Sequence, residues 1–161
     1  MAPFEIKFWK KEGHVSSTKK PTPELQRILP QVDTIARCLE RIESKKPFSL
    51  SDLQNNFDLQ DIVSINLERA IQASVNIAAM IIAKSQQPAP LEMSESFQVI
   101  QRMGYIQESV CERMKKATGF RNLMVHEYEK IDWAIVFQIT EHHLVDFKTF
   151  VKEILKKFGS A

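Results

Sequence analysis

From Thr22 onward, apolar residues recur three and four places apart, the spacing of a helix that buries one face. The first run is Leu25, Ile28, Leu29, Val32, Ile35, Ala36, Leu39 and Ile42. Thr22 followed by Pro23 supplies an N-cap and a proline at the first helical position, so the helix is predicted to open there. Pro30 has no N–H to donate and predicts either a kink or a true start at that point. Ser44 to Phe57, with its lysines, a proline and paired asparagines, reads as a connection. A second helix is predicted from about Asp58 to Gln86. Its C-terminal half is apolar almost all round, through Ile71, Val75, Ala78, Ala79 and Ile82. Such a helix is central to a bundle, or covered on an extra side by another subunit.

Gln87-Pro88-Ala89-Pro90 closes that helix. A short helix follows, with Ser94 as its predicted N-cap, Phe97, Ile100 and Met103 facing inward, and Gly104 as its stop. A fourth runs from about Ile106, with Val110, Met114, Ala117 and Leu123 on its apolar side. The last opens after Asp132 as N-cap and carries Trp133, Val136, Phe137, Leu144, Phe147, Val151, Ile154 and Phe158. The pattern predicts an all-α fold, an antiparallel helical bundle of four main helices plus one short helix, over residues 23–158. Residues 1–22 form an N-terminal arm outside it. There Phe4, Ile6 and Phe8 alternate with polar residues as a short strand would, and Gly13 to Lys20 is linker-like.

Composition narrows the class without naming it. At 161 residues the chain is one domain, long enough to bury a core without metal or disulfide. Hydrophobic content of 43% argues against wholesale disorder, and only four glycines suit a helical chain with few tight turns. The net charge of +2 is too small to announce nucleic-acid binding, so any such function must rest on local geometry. Cys38 and Cys111 lie inside helical patterns with no second cysteine nearby, which reads as two buried reduced thiols. No apolar run reaches membrane-spanning length and no signal peptide is evident, so a soluble, cytoplasmic protein is expected. Adjacent His142 and His143 point to different faces of a helix, and no carboxylate completes a metal triad with them.

The chemistry concentrates in one stretch, Ala117-Thr118-Gly119-Phe120-Arg121-Asn122-Leu123-Met124-Val125-His126-Glu127-Tyr128. Arg121 is a permanent cation suited to a phosphate, and His126 titrates near neutrality in its unperturbed form. On one straight helix Arg121 and His126, five apart, stand about 140° apart around the axis. Arg121 and Tyr128, seven apart, share a face. Either the helix breaks near Gly119 or His126, or a second chain completes the constellation. Acid–base chemistry at a phosphate ester points the same way, because it needs a base, an acid and charge stabilisation, and one histidine moves one proton at a time. Arg113, Lys115 and Lys116, upstream on the same helix, are candidate contacts for a nucleic-acid phosphate backbone.

The spacing Arg-x4-His-x-Tyr, preceded by Gly-Phe, resembles the signature of the HEPN superfamily, in particular the HepT-like toxins. Asp61 to Gln72 looks like that family's long second helix, and Glu127 to Asp132 like its exit from the motif; together the resemblance covers roughly residues 24 to 157. A bare Arg-x4-His is a weak signal, but the full string in a helical chain is far more specific. The resemblance implies a metal-independent endoribonuclease, with Arg121 and His126 from both chains of a homodimer at one cleft and Asn122 supporting the arginine. It implies no cofactor. It also implies an MNT-type nucleotidyltransferase antitoxin as partner, with Tyr128 as the position to which that partner attaches AMP. Another class of reading stands beside it: a non-catalytic subunit that holds a nucleotide or a nucleotidyltransferase in the same cleft. Blander still is a helical dimerisation module in which His126 is structural and Arg121 pairs with Glu127 or Glu129.

Overall fold

The computed structural model describes residues 20–46 and 48–159; the predicted N-terminal alternation of Phe4, Ile6 and Phe8 lies outside them. Thr22 caps α1 (Pro23–Glu43), its hydroxyl accepting from the Leu25 N–H at 3.2 Å. The helix therefore starts at Pro23 and runs through Pro30 rather than beginning there. Ser44 to Phe57 is not a plain connection. It contains α2 (Leu50–Asn55), opened by a capping box in which Ser49 and Asp52 each accept the other's backbone N–H. Asn56 then caps α3 (Phe57–Ile82), and the Gln60 side chain donates to the carbonyls of Leu53 and Gln54 at the end of α2. Those carbonyls have no partner within so short a helix, so one glutamine ties the two elements together.

The remaining elements are α4 (Met93–Arg102), α5 (Glu108–His126), a 3₁₀ turn (Tyr128–Lys130), α6 (Trp133–Gln138), a π turn (Ile139–His143) and α7 (Leu144–Gly159). α4 opens at Glu92 rather than Ser94, and its cap makes no side-chain hydrogen bond. It ends as expected at Gly104, whose φ of +81° lets the N–H groups of Gly104 and Tyr105 reach back to Gln101 and Ile100. Asp132 caps α6 through the Ala134 N–H at 2.9 Å. The π turn leaves the Thr140 carbonyl to accept from Lys46, which also meets Glu141 at 3.2 Å.

Four long helices, α1, α3, α5 and α7, stand in a ring in which each packs on the next and α7 closes on α1. The links across each seam fix direction. α3 meets α5 through Glu68 with Arg121 and Asp61 with Tyr128; α5 and its N-cap meet α7 through Arg113 with Asp146 and Gln107 with Glu153. In both pairs, the earlier residue on one helix meets the later residue on the other, so neighbours are antiparallel. Burial of Ala70, Ile71, Ala73, Val75, Ile77, Ala78, Ile81 and Ile82 puts the C-terminal half of α3 at the centre, as its all-round apolarity required. Phe97 from α4 sits edge-on to Phe150 of α7, ring centroids 5.6 Å apart, and both are fully buried. Cys38 and Cys111 are buried free thiols whose proton affinity burial raises. No described helix is long and apolar enough to cross a membrane.

Candidate functional site

α5 is unbroken through Gly119 and ends at His126, where Glu127 (φ −138°, ψ 42°) leaves the helical path. Of the two breaks left open by the sequence, the one near Gly119 is not taken, and the one at His126 is; because it falls after the histidine, it does not change the angle between Arg121 and His126. Arg121 and His126 keep their wide angular separation. Arg121 turns inward to the seam with α3 and the start of α4, while His126 is exposed at the helix end. A single chain does not aim both at one atom.

Arg121 is the more constrained of the two. Its side chain is only 18% exposed, yet its contacts are thin: Nη2 to Glu68 Oε1 at 3.7 Å, and Nη1 to the Met93 thioether at 3.7 Å. Nε is buried with no hydrogen-bond partner among the described residues. A guanidinium carries five N–H donors, and a buried donor left unmatched is costly. The arginine is thus held in place by packing, and its terminal nitrogens, each with one long contact, keep N–H groups for an anion. Its carboxylate partner is Glu68, from across the bundle; Glu127, its neighbour in sequence, pairs with Lys130 instead. Asn122 is exposed beside it.

Tyr128 opens the 3₁₀ turn, with its ring edge-on to Trp133 at 6.1 Å and its hydroxyl donating to Asp61 Oδ1 at 3.4 Å. Partial burial pushes the phenol's pKa up, and the Asp61 charge adds to this; Ser64 offsets part of the rise. The phenol is therefore held protonated, with a carboxylate at its oxygen.

Arg121, Val125 and Tyr128 follow one another along one face of α5 and the turn after it. Asp61, Ile65 and Glu68 do the same on α3, running the other way. Polar pairs close the two ends of this seam, Arg121 with Glu68 and Tyr128 with Asp61. Between them Ile65 and Val125 remain 44% and 43% exposed, so the middle of the seam is apolar and uncovered. The sequence missed Asp61, Ser64 and Met93 as neighbours of the motif. Only Asp61 carried a signal: with Glu68 it repeats, in reverse, the seven-residue spacing of Arg121 and Tyr128.

The upstream cations do not join this face. Arg113 pairs with Asp146 of α7 at 3.0 Å, and the same carboxylate holds His143 Nδ1 at 3.0 Å. Lys115 pairs with Glu112 at 3.1 Å, and Lys116 is exposed, about 140° around α5 from Arg121. His142 and His143 are both exposed in the π turn, and no three described His, Cys, Asp or Glu side chains gather as a metal would need.

A family model described as ribonuclease HepT-like matches residues 35–154. The chain is 33% identical over 127 residues to the mRNA nuclease HepT of Shewanella oneidensis, covering 79% of this chain and 95% of that one. It is 25% identical over 124 residues to the tRNA nuclease HepT of Aphanizomenon flos-aquae, covering 77% and 84%. Among solved structures it resembles a tri-AMPylated Shewanella oneidensis HEPN toxin in complex with MNT antitoxin, at 33% identity and a TM-score of 0.74 over 79% of this chain and 95% of that one.

Proposed function

The chain belongs to the ribonuclease HepT-like family, and from that membership we propose that it is a metal-independent endoribonuclease toxin, working as a homodimer whose cleft takes Arg121 and His126 from both copies. The observation that carries the proposal is the α3–α5 seam. It presents an under-partnered Arg121 beside an uncovered apolar strip, at the end of a helix that points His126 away from its own arginine. A two-fold partner laid over Ile65 and Val125 covers the strip and sets two motifs face to face.

In that cleft Arg121 binds the scissile phosphate through donors its own chain leaves spare, and Asn122 orients the arginine or the phosphate. One His126 takes the proton from the 2′-hydroxyl, whose oxygen attacks phosphorus. The P–O5′ bond breaks, and the second copy's His126 returns a proton to the departing 5′-oxygen, leaving a 2′,3′-cyclic phosphate. Tyr128 is the regulatory position. A nucleotidyltransferase antitoxin of the MNT type attaches AMP to it, and the added anion beside Arg121 occupies the place where RNA phosphate would bind.

The test is cleavage of RNA by the purified chain with chelator present. His126→Ala and Arg121→Ala are each expected to lower the rate by a factor on the order of 10² to 10⁴. RNA left intact by the wild type, with an antitoxin still bound, returns the chain to the non-catalytic binding reading.

A further inference from the structure

RNA cleavage leaves two side chains of α3 unused at the Tyr128 end of the seam. Asp61 and Ser64 stand three residues apart, on one face of the helix. Asp61 is exposed, and its Oδ1 accepts from the Tyr128 hydroxyl at 3.4 Å. Lys130, two residues beyond the phenol, is engaged by Glu127 instead. Ser64 is the opposite kind of neighbour. It is 6% exposed, and its Oγ is buried without a hydrogen-bond partner among the described residues. It nevertheless lies close enough to the phenol to offset part of the rise in its pKa. A hydroxyl has that effect by donating to the charged form of the oxygen.

The fold gains little from either group. An exposed hydrogen bond of 3.4 Å adds little stability, and a buried hydroxyl with no partner detracts from it. Around the Tyr128 oxygen, however, they complement each other: one accepts a proton, and the other donates to the charge left behind. That is the arrangement of an activated nucleophile, and a bond to the base that is loose at rest tightens when the reactant arrives. Trp133 packs edge-on against the ring at 6.1 Å and steadies it, while 44% exposure leaves Tyr128 open to a reactant from solvent.

We propose that Asp61 and Ser64 make Tyr128 the acceptor of a nucleotidyl group, Asp61 as the base that takes the phenolic proton and Ser64 as the donor that supports the oxygen while it carries charge. The inference rests on the regulatory reading of Tyr128 and supplies its chemistry. The phenolic oxygen bonds to the α-phosphorus of a nucleoside triphosphate brought by the nucleotidyltransferase, and its proton passes to Asp61 Oδ1. The bond from that phosphorus to the bridging oxygen breaks, and pyrophosphate leaves with the electron pair. Tyr128 ends as an aryl phosphodiester, and Asp61, being exposed, returns the proton to water. The toxin thus carries part of the machinery for its own modification.

The experiment offers two phosphorus electrophiles to the full-length chain carrying Tyr105→Phe, in which Tyr128 is the one remaining tyrosine. One is ATP with magnesium and the MNT antitoxin of Shewanella oneidensis. The other is diisopropyl fluorophosphate, which carries its own leaving group and needs no partner protein. Adducts are timed by intact mass and located by peptide mass, and circular dichroism checks the fold. Asp61→Asn is expected to slow both reactions about 100-fold, and Ser64→Ala about tenfold with thermal stability unchanged or higher. The sign is decisive. Removing the Asp61 charge makes the phenol more acidic, so an Asp61 that were only an electrostatic neighbour would give a faster Asn variant. An Asn variant as fast as its parent, or faster, therefore overturns the base. Ser64→Ala at the parent rate overturns the pair as a unit, and so does a Tyr128 inert to both electrophiles. AMP attached elsewhere, or not at all, ends the regulatory reading; the fluorophosphate rates then decide between base and bystander by themselves.

Discussion

The Tyr128 hydroxyl lies against Asp61, and its acidity is set by that neighbour as well as by partial burial. Replacing Asp61 by Asn is expected to bring the phenol part of the way back toward its ordinary range, because the burial contribution stays. Ultraviolet titration in a Tyr105→Phe background isolates this change, since the chain has only two tyrosines. On the regulatory reading the same substitution slows AMP attachment, the carboxylate being the nearest acceptor for the phenolic proton. Side-chain identities along Arg-x4-His-x-Tyr were plain from the sequence, as was Gly104 at a helix end. Partners were not. Arg121 had Glu127 six places away yet pairs with Glu68, fifty-three places back, because α3 and not the motif's own turn lies under it. Pairing of that kind is a property of how helices meet, which a single sequence does not print.

Whole elements were legible where a cap coincided with a long apolar period. Thr22-Pro23 and Asp132 satisfied both conditions and both open helices. α2 failed the second condition: six residues are too few for a three-and-four spacing to declare itself, although Ser49 and Asp52 stand at capping-box spacing. The bonds that Ser49 supplies lower the pKa of Asp52. A carboxylate whose pKa is depressed by folding contributes stability above its unfolded value and loses it as pH falls through the folded value. α2 is therefore expected to fray first on acidification. Ser49→Ala should make amide exchange at Leu53 faster and raise the Asp52 pKa toward its ordinary range. The π turn was invisible for another reason. Its extra residue falls between Val136 and Leu144 without disturbing the apolar spacing on either side, and Lys46, which holds the freed carbonyl, comes from the other end of the chain.

At the scale of the molecule, four apolar helices in succession were enough to give the antiparallel bundle, with the C-terminal half of α3 at its centre. What the sequence left open was whether the apolar excess of α3 served this chain's core or a second subunit. The structure divides it. The C-terminal half is buried, whereas Ile65 in the N-terminal half stays exposed beside Val125. Ile65→Asp leaves the buried core untouched and is expected to disperse the dimer, read by sedimentation, and to abolish RNA cleavage with it. The unbroken course of α5 has one more consequence. On the two-copy reading no isolated chain is a catalyst, so below the dissociation constant the rate grows with the square of chain concentration. Dilution silences such an enzyme without any inhibitor, and a few-fold rise in copy number brings it on abruptly.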